Sequence, residues 1–139
     1  MADYLLDTGI LIRHLRNWPG YRDLVGRLAD EGQLYIASFT RLEVVRGMRD
    51  HEREATFALL DALQTYPLDA ETADQAGEMI RTWRQKGVTI SGPGAVIAAS
   101  ALGCQATLVT THPKHFPMVE LTVLGADEEG NLPPQTPAG

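Results

Sequence analysis

The sequence predicts an α/β domain, a three-layer sandwich in which helices flank a mainly parallel sheet of four to five strands. The first observation is that short apolar runs alternate with helical patterns along the chain, an order typical of parallel sheets. The second is that 139 residues fit one domain. The third is the composition, 44% apolar and 22% charged, which is that of an ordinary globular protein and argues against disorder.

The first half of the chain alternates predicted strands with predicted helices. A short apolar run ends at Asp7, and apolar residues three to four positions apart follow it. Gly32 ends the second helix, and Ser38 offers a hydroxyl that would cap the third. We predict strands over residues 4–6 and 33–37 and helices over residues 10–15, 20–31, 38–48 and 51–64.

The second half continues the alternation up to a proline-rich end. Asp69 caps a long helix that Gly87 ends, and Gly103 ends a later helix of small apolar residues. The domain is expected to cover residues 1–126, followed by a flexible Pro-rich tail over residues 127–139. We predict an extended piece over residues 66–68, helices over 70–86 and 95–102, a tight turn at 92–94, strands over 106–110 and 121–124, and a turn or short helix over 112–116.

The charge balance narrows the classes of function. Lys and Arg total 12 and Asp and Glu total 18, which gives a net charge of −6. A protein that coats DNA generally would be basic, whereas an enzyme that holds a nucleic acid through metal ions and a local basic patch stays compatible. Cys104 is the sole cysteine, which excludes an internal disulfide and a cysteine-based zinc site. Neither a signal-peptide pattern nor a membrane-spanning run is visible, so we expect a cytoplasmic protein.

Candidate functional residues follow the predicted strands, because ligands of parallel sheets bind beyond the carboxyl ends of the strands. Asp7 and Ser38 follow two strands, and Thr110 ends a third. Glu43 lies about one and a half turns into the helix after Ser38. Asp7 and Glu43 could therefore converge as carboxylate ligands of a divalent cation. Two other interpretations stay open, namely Asp7 as a helix N-cap and Glu43 as a solvated helix residue.

Four segments together resemble the PIN-domain family, and within it the VapC-type toxins of bacterial toxin–antitoxin pairs. Their sequences are YLLDTGILI, SFTRLEVVRG, AVIAASALG and LVTTHPKHF, at residues 4–12, 38–47, 95–103 and 108–116. Each segment alone is unspecific, but their order and spacing fit the family, and the likeness extends over about residues 3–124. The resemblance implies a PIN-like fold and a metal-dependent endoribonuclease with Mg²⁺ or Mn²⁺ as its cofactor.

The resemblance also implies site residues and partners. Asp7 and Glu43 match the first two acids of the family's metal site. The hydroxyls of Thr8, Ser38 and Thr110 would support them, although Thr8 and Ser38 suit helix capping equally well. The implied partners are an RNA substrate, a cognate antitoxin protein and a second copy of the chain in a homodimer.

Two positions depart from the family pattern. The third acid would fall at Gly94, and the fourth, an Asp or Asn, at His112. Gly94 offers no side chain, and two carboxylates should hold Mg²⁺ more weakly than three or four. The imidazole of His112 could be a ligand better suited to Mn²⁺ or Zn²⁺, or the residue could simply occupy a turn. The alternative function is therefore a catalytically weak or inactive PIN-like binding protein that acts through an antitoxin or self-association.

Two other functions are disfavoured by their context. Residues 7–9 spell Asp-Thr-Gly, the tripeptide of aspartic proteases, but those proteins are mostly β, whereas a helical pattern follows here. A nucleotide-binding flavodoxin-like or receiver-like domain would need a phosphate loop or an acidic pair after the first strand. The sequence contains neither.

A set of arginines provides local positive charge in this acidic chain. They are candidates for an RNA path or for pairing with an acidic segment of an antitoxin, and most would equally suit a solubilising helix face. The set consists of Arg13, Arg16, Arg41, Arg46, Arg49 and Arg53.

Overall fold

The computed structural model describes residues 2–133 and confirms the predicted fold class. The strands are β1 (Tyr4–Leu6), β2 (Leu34–Ala37), β3 (Gln64–Tyr66), β4 (Thr107–Thr110) and β5 (Val123–Gly125). They form one five-stranded sheet in the order β3-β2-β1-β4-β5, and every neighbouring pair is parallel. The central strand is β1, whose Leu5 pairs with Tyr35 on one side and with Leu108 on the other.

Six α-helices connect the strands within the described residues. They are α1 (Thr8–Leu15), α2 (Tyr21–Glu31), α3 (Ser38–Gly47), α4 (Arg53–Ala62), α5 (Ala70–Gln85) and α6 (Gly92–Gly103), with short 3-10 helices at Asp50–Glu52 and Pro113–His115. None of these helices is long and apolar enough to cross a membrane. Because β1 leads directly into α1 and β2 into α3, both helices begin at the carboxyl edge of the sheet.

The two faces of the sheet bury separate cores, as a three-layer sandwich requires. Successive strand side chains point to opposite faces. Leu5 therefore packs with apolar residues of α5 and α6, whereas Leu6 packs with those of α1 and α2. Both leucines are fully buried. The tight packing of β1 on both faces fixes the position of the residue that follows it, Asp7.

The structure corrects the predicted role of Ser38. We expected its hydroxyl to cap the third helix, but Ser38 is the first residue of α3 and Ala37 is the N-cap, which has no side-chain hydrogen bond. The Ser38 hydroxyl instead donates to the carbonyl of Tyr66 at 2.9 Å and accepts from the N–H of Leu68 at 2.9 Å. The reason is that β2 runs into α3 without a linking residue, so the hydroxyl faces the end of β3 and the residues that follow it.

The predicted helix over residues 51–64 was too long at both ends. Helix α4 covers Arg53–Ala62, and Gln64–Tyr66 forms the edge strand β3. These strand residues are polar or partly exposed and carry no alternating apolar pattern. Pairing with residues 35–37 of β2, rather than local propensity, makes them a strand.

The predicted tight turn at residues 92–94 is instead the first turn of α6. Ser91 is the N-cap, and its hydroxyl accepts a 3.0 Å hydrogen bond from the N–H of Gly94. Pro93 fits this first turn because an N–H there would have no partner within the helix. The last strand also shifts, from the predicted residues 121–124 to Val123–Gly125.

The segment after residue 126 still contacts the domain. The hydroxyl of Tyr21 donates to the carbonyl of Asp127 at 2.7 Å. The Asp127 carboxylate accepts N–H bonds from Glu129 and Asn131, and the bond from Asn131 lowers the pKa of this carboxyl group. Leu132 packs against the core beside α1 and α2. The remainder of the predicted tail, residues 134–139, lies outside the described residues.

Candidate functional site

Asp7 directly follows the central strand β1 at the carboxyl edge of the sheet, beside the end of β4. Its Oδ1 accepts a 2.8 Å hydrogen bond from the N–H of Thr8, so Asp7 is the N-cap of α1. Its Oδ2 accepts a 2.6 Å hydrogen bond from the hydroxyl of Thr110, the last residue of β4. The carboxylate is thus held from two sides, by the first N–H of α1 and by the last residue of β4, the strand next to β1.

Glu43 reaches the same place from α3. Its Oε1 accepts a 2.8 Å hydrogen bond from the Thr8 hydroxyl. Its Oε2 lies 4.0 Å from the guanidinium of Arg46, one turn further along the helix. The Glu43 side chain is only 23% exposed, so it is not a freely solvated helix residue. Thr8 therefore joins the two acids: its N–H binds Asp7 and its hydroxyl binds Glu43.

Two threonines that sequence reasoning missed complete this arrangement. Thr40 is fully buried, and its hydroxyl lies 3.2 Å from that of Thr8. Its position three residues before Glu43 on α3 is a signal that helix geometry could have supplied. Thr111 lies against Gly9, where a Cβ atom would come within 2.8 Å of the Thr111 hydroxyl oxygen. Gly9 thus allows the loop after β4 to approach the start of α1.

Gly94 lies in the first turn of α6. The next residue, Ala95, is fully buried in the same core as Leu5, the second-last residue of β1, and Ala37, the last residue of β2. A Cβ atom at Gly94 would meet only the hydroxyl oxygen of Ser91, at 2.9 Å. The position therefore has room for a side chain beyond this single contact.

The side chains of His112 and Ser38 make contacts with residues other than the two acids. The N–H of His112 donates to the Thr110 hydroxyl at 3.0 Å, but its exposed ring stacks on His115, with 5.1 Å between ring centroids. The hydroxyl of Ser38 is occupied by residues 66 and 68, as described above. His112 thus contacts the site residue Thr110 through its backbone, and whether either side chain supports the metal site stays a prediction.

The residues present fit a hard divalent cation held by few protein ligands. Asp7 and Glu43 offer carboxylate oxygens, and each keeps acceptor capacity beyond its hydrogen bonds to Thr8 and Thr110. Mg²⁺ is often bound by one or two carboxylates, with water and substrate phosphate completing its shell. Within residues 2–133, no group of three or more His, Cys, Asp or Glu side chains is arranged to hold a metal ion. A tetrahedral zinc site of nitrogen and sulfur ligands is therefore a poorer fit.

Several arginines of the predicted basic set make structural contacts. The Arg41 guanidinium forms a 2.7 Å ion pair with Asp61. The guanidinium of Arg13 lies 4.3 Å from the ring centroid of Trp18, and that of Arg53 lies 5.1 Å from the ring of Phe57. Arg46, beside Glu43, is 71% exposed in its side chain. Arg46 is the arginine of this set whose side chain contacts one of the two acids, Glu43.

The five-stranded parallel sheet and the paired acids at its carboxyl edge define a PIN domain. The family profile, described as PIN domain, matches residues 4–119. The chain belongs to the PIN-domain family. Among curated proteins it is similar to Ribonuclease VapC10 of Mycobacterium tuberculosis, with 34% identity over 116 residues that cover 84% of this chain and 87% of the relative. It is also similar to Ribonuclease VapC19 of the same organism, with 33% identity over 82% of this chain and 92% of the relative.

Solved structures support the fold. The structure of VapBC2 from Rickettsia felis bound to a promoter DNA fragment matches with a TM-score of 0.75 and 24% identity, over 86% of this chain and 96% of the matched one. The structure of VapBC-1 from nontypeable Haemophilus influenzae matches with a TM-score of 0.73 and 22% identity, over 90% and 97%. At these identities the likeness concerns the fold.

Proposed function

We propose that this chain is a divalent-metal-dependent endoribonuclease and the toxin of a toxin–antitoxin pair. The observation that carries the proposal is the bridge that Thr8 makes between Asp7 and Glu43 at the carboxyl edge of the sheet. Relatives at 34% and 33% identity are named ribonucleases, which supports the same activity here. The bridged acids and the named relatives together favour phosphodiester hydrolysis at this edge of the sheet.

Asp7 and Glu43 would hold the ion, Mg²⁺ or Mn²⁺. When bound, the ion supplies an activated water and neutralises charge on the scissile phosphate. The chain's own contribution is orientation: Thr110 and the start of α1 fix Asp7, and Thr8 fixes Glu43. Glu43 would also orient an attacking water, since its carboxylate keeps acceptor capacity beyond its bond to Thr8. This proposed ligand set leaves out the ring of His112, which stacks on His115.

The proposed protein partners are a cognate antitoxin and a second copy of the chain. The solved structures of similar fold include VapBC toxin–antitoxin complexes. The exposed arginines Arg16, Arg46 and Arg49 are suited to an acidic segment of an antitoxin. Leu42 is 51% exposed on α3 and is suited to a contact between two copies.

The test is cleavage of a fluorogenic RNA by the full chain in Mg²⁺, in Mn²⁺ and in excess chelator. Asp7→Asn and Glu43→Gln should each lower the rate by at least about tenfold, since even residues that only support a metal ligand are worth that much. Asp61→Asn is the control, because this exposed carboxylate pairs with Arg41 away from the site. An Asp7→Asn variant that cuts at the normal rate would remove Asp7 from the site.

A second candidate is a PIN-like binding protein with little or no catalytic activity. It is favoured by Gly94, which stands where the family pattern would supply a third acid, and by the lack of a three-ligand cluster within residues 2–133. The two candidates separate in one experiment. Cleavage seen only after Gly94→Asp would establish a degenerate nuclease, and equal cleavage by both proteins would show that position 94 need not supply a ligand.

A further inference from the structure

A cleft beside the segment that follows β4 is lined by residues that the proposed chemistry does not use, namely one lysine, one histidine, two hydroxyl residues and three apolar residues. Residues 88–91 form one wall, and Lys114, His115 and Pro117 form the other. It encloses about 260 Å³, slightly less than the roughly 300–1,000 Å³ that is common for sites that hold a whole ligand. We call it the Lys114 cleft. Its size suits part of a nucleotide, such as one base or one phosphate.

One wall of the Lys114 cleft follows β4, which contacts Asp7, and the other leads into α6, which packs in the same core as Leu5 of β1. Ser91 caps α6, in whose first turn Gly94 lies. The opposite wall follows β4, where the Thr110 hydroxyl donates to Asp7 and accepts from the N–H of His112. The segment that follows β4 thus links the surroundings of Asp7 to this cleft.

The charges and rings of the cleft suit single-stranded RNA. A second depression, formed by residues 111–115, shares Lys114 and His115 with the first, and no carboxylate lines either one. This is notable in a chain with a net charge of −6. The rings of His112 and His115 stack at an interplanar angle of 20°, and both residues are exposed. Exposed aromatic rings stack on unpaired bases, and an ammonium group binds phosphate.

We propose that the Lys114 cleft positions a nucleotide of the RNA substrate that flanks the scissile phosphate. The base stacks against the ring of His115, and a phosphate lies beside the ammonium group of Lys114. Both residues are positioning residues, since neither touches Asp7 or Glu43. This inference rests on the proposed ribonuclease function and names where the substrate runs. The stacked histidine rings favour RNA over an acidic peptide. An acidic peptide would use the positive charge of Lys114 but would have no base to stack on the rings.

The test measures RNA binding apart from cleavage. The full chain carrying Asp7→Asn binds a fluorescein-labelled single-stranded RNA oligonucleotide in chelator, followed by fluorescence anisotropy. Lys114→Gln should weaken binding about threefold or more and lower the slope of log K against log salt by about 0.7, as expected for one lost phosphate contact. Lys114→Arg should restore both. His115→Ala should weaken binding about fivefold or more, because base stacking is lost.

Two matched variants control for nonspecific effects. Arg27→Gln removes a positive charge from an exposed position on α2, and His51→Ala removes an exposed imidazole before α4, and neither residue lines the cleft. Both should bind RNA like the parent.

The inference is overturned if Lys114→Gln and His115→Ala bind RNA as tightly as the parent. It is overturned too if the parent binds no RNA, or if these variants lose binding of a glutamate-rich peptide while keeping that of RNA. The proposed nuclease is judged separately, by cleavage with the unaltered chain. Weakened RNA binding together with no cleavage would support the cleft and refute the nuclease.

Discussion

Restoring an acid at position 94 is the perturbation that most directly tests the candidate metal site. Gly94→Asp places a carboxylate in the first turn of α6, beside the core that also contains the ends of β1 and β2. We expect the variant to bind Mg²⁺ and Mn²⁺ more tightly than the parent and to cut RNA at lower metal concentrations.

The fold should tolerate this substitution. The new Cβ would press on the Ser91 hydroxyl at 2.9 Å, which could weaken the cap, a loss worth about 0.5–2 kcal/mol. An acid in the first turn of a helix is stabilised by the helix dipole by about 0.3–1 kcal/mol, and replacing glycine recovers a few tenths more. The two effects nearly cancel, so the free energy of unfolding should change by no more than about 1 kcal/mol.

The gain in metal affinity is larger than this change in stability. One negative charge and a dication attract by about 2 kcal/mol at ~4 Å even in water, twice the value for two unit charges. Since about 1.4 kcal/mol corresponds to a factor of ten, the half-saturating Mg²⁺ concentration should fall by about 30-fold. Partial burial of the position would increase the effect.

Isothermal titration with Mg²⁺, and the loss of the free Mn²⁺ signal in electron paramagnetic resonance, measure the affinity without relying on cleavage. Thermal unfolding of both proteins in chelator verifies that the fold is intact. A Gly94→Asn variant, which adds a similar volume without the charge, is the control and should bind metal like the parent. An intact Gly94→Asp protein with unchanged affinity for both metals would refute the reasoning that position 94 faces the same ion as Asp7 and Glu43.

The remaining predictions concern single hydrogen bonds and close contacts. Thr8→Val removes the hydroxyl that holds Glu43 and should lower the rate of RNA cleavage about tenfold or more, whereas Thr8→Ser should not; equal rates would exclude an orienting role. A hydrogen bond to a carboxylate on α2 raises the pKa of Tyr4 to about 12, so the folded protein holds this proton more tightly than the unfolded chain does. The free energy of unfolding should therefore fall as pH rises from about 10 to about 12. Urea denaturation should show a shallower fall for Tyr4→Phe, and an unchanged pH dependence in this variant would contradict the argument. Gly103→Ala brings a Cβ within 2.6 Å of a tyrosine ring carbon and should lower the free energy of unfolding by about 1–3 kcal/mol. Gly26→Ala meets nothing within 4 Å and should raise the free energy of unfolding by up to about 1 kcal/mol. The opposite order of stabilities would contradict the packing around these two glycines.

The fold could be predicted where local patterns and tertiary contacts agree. The alternation of apolar runs and helical patterns was sufficient for the parallel sheet, and Asp69 caps α5 as its position suggested, accepting from the N–H of Thr72. The edge strand β3 was missed because Gln64–Tyr66 has no apolar alternation and becomes a strand only by pairing with β2. The role of Ser38 was wrong for a similar reason, since its partners, near residue 66, are distant in sequence.

The candidate site could be predicted in its charged residues but not in its connections. Asp7 and Glu43 were expected to converge because each follows a parallel strand, and both are bound by Thr8. The buried Thr40 was missed, although its spacing to Glu43 on α3 pointed to it. The cleft at Lys114 had no sequence signal, because its two walls lie more than twenty positions apart and meet only in the folded chain.

The tripeptide at residues 7–9 shows why the order of residue types alone did not identify this site. Asp7 caps α1 and accepts from Thr110, 103 positions away. Thr8 binds Glu43 across 35 positions, and Gly9 leaves the space that Thr111 occupies. Each of the three residues thus has a partner on a different part of the sheet edge. In an aspartic protease the same tripeptide supplies one of two acids that share a proton. Here it supplies one acid and a threonine hydroxyl that binds the second acid. The chemistry follows from these long-range partners, which only the parallel topology of β1, β2 and β4 brings within hydrogen-bond distance.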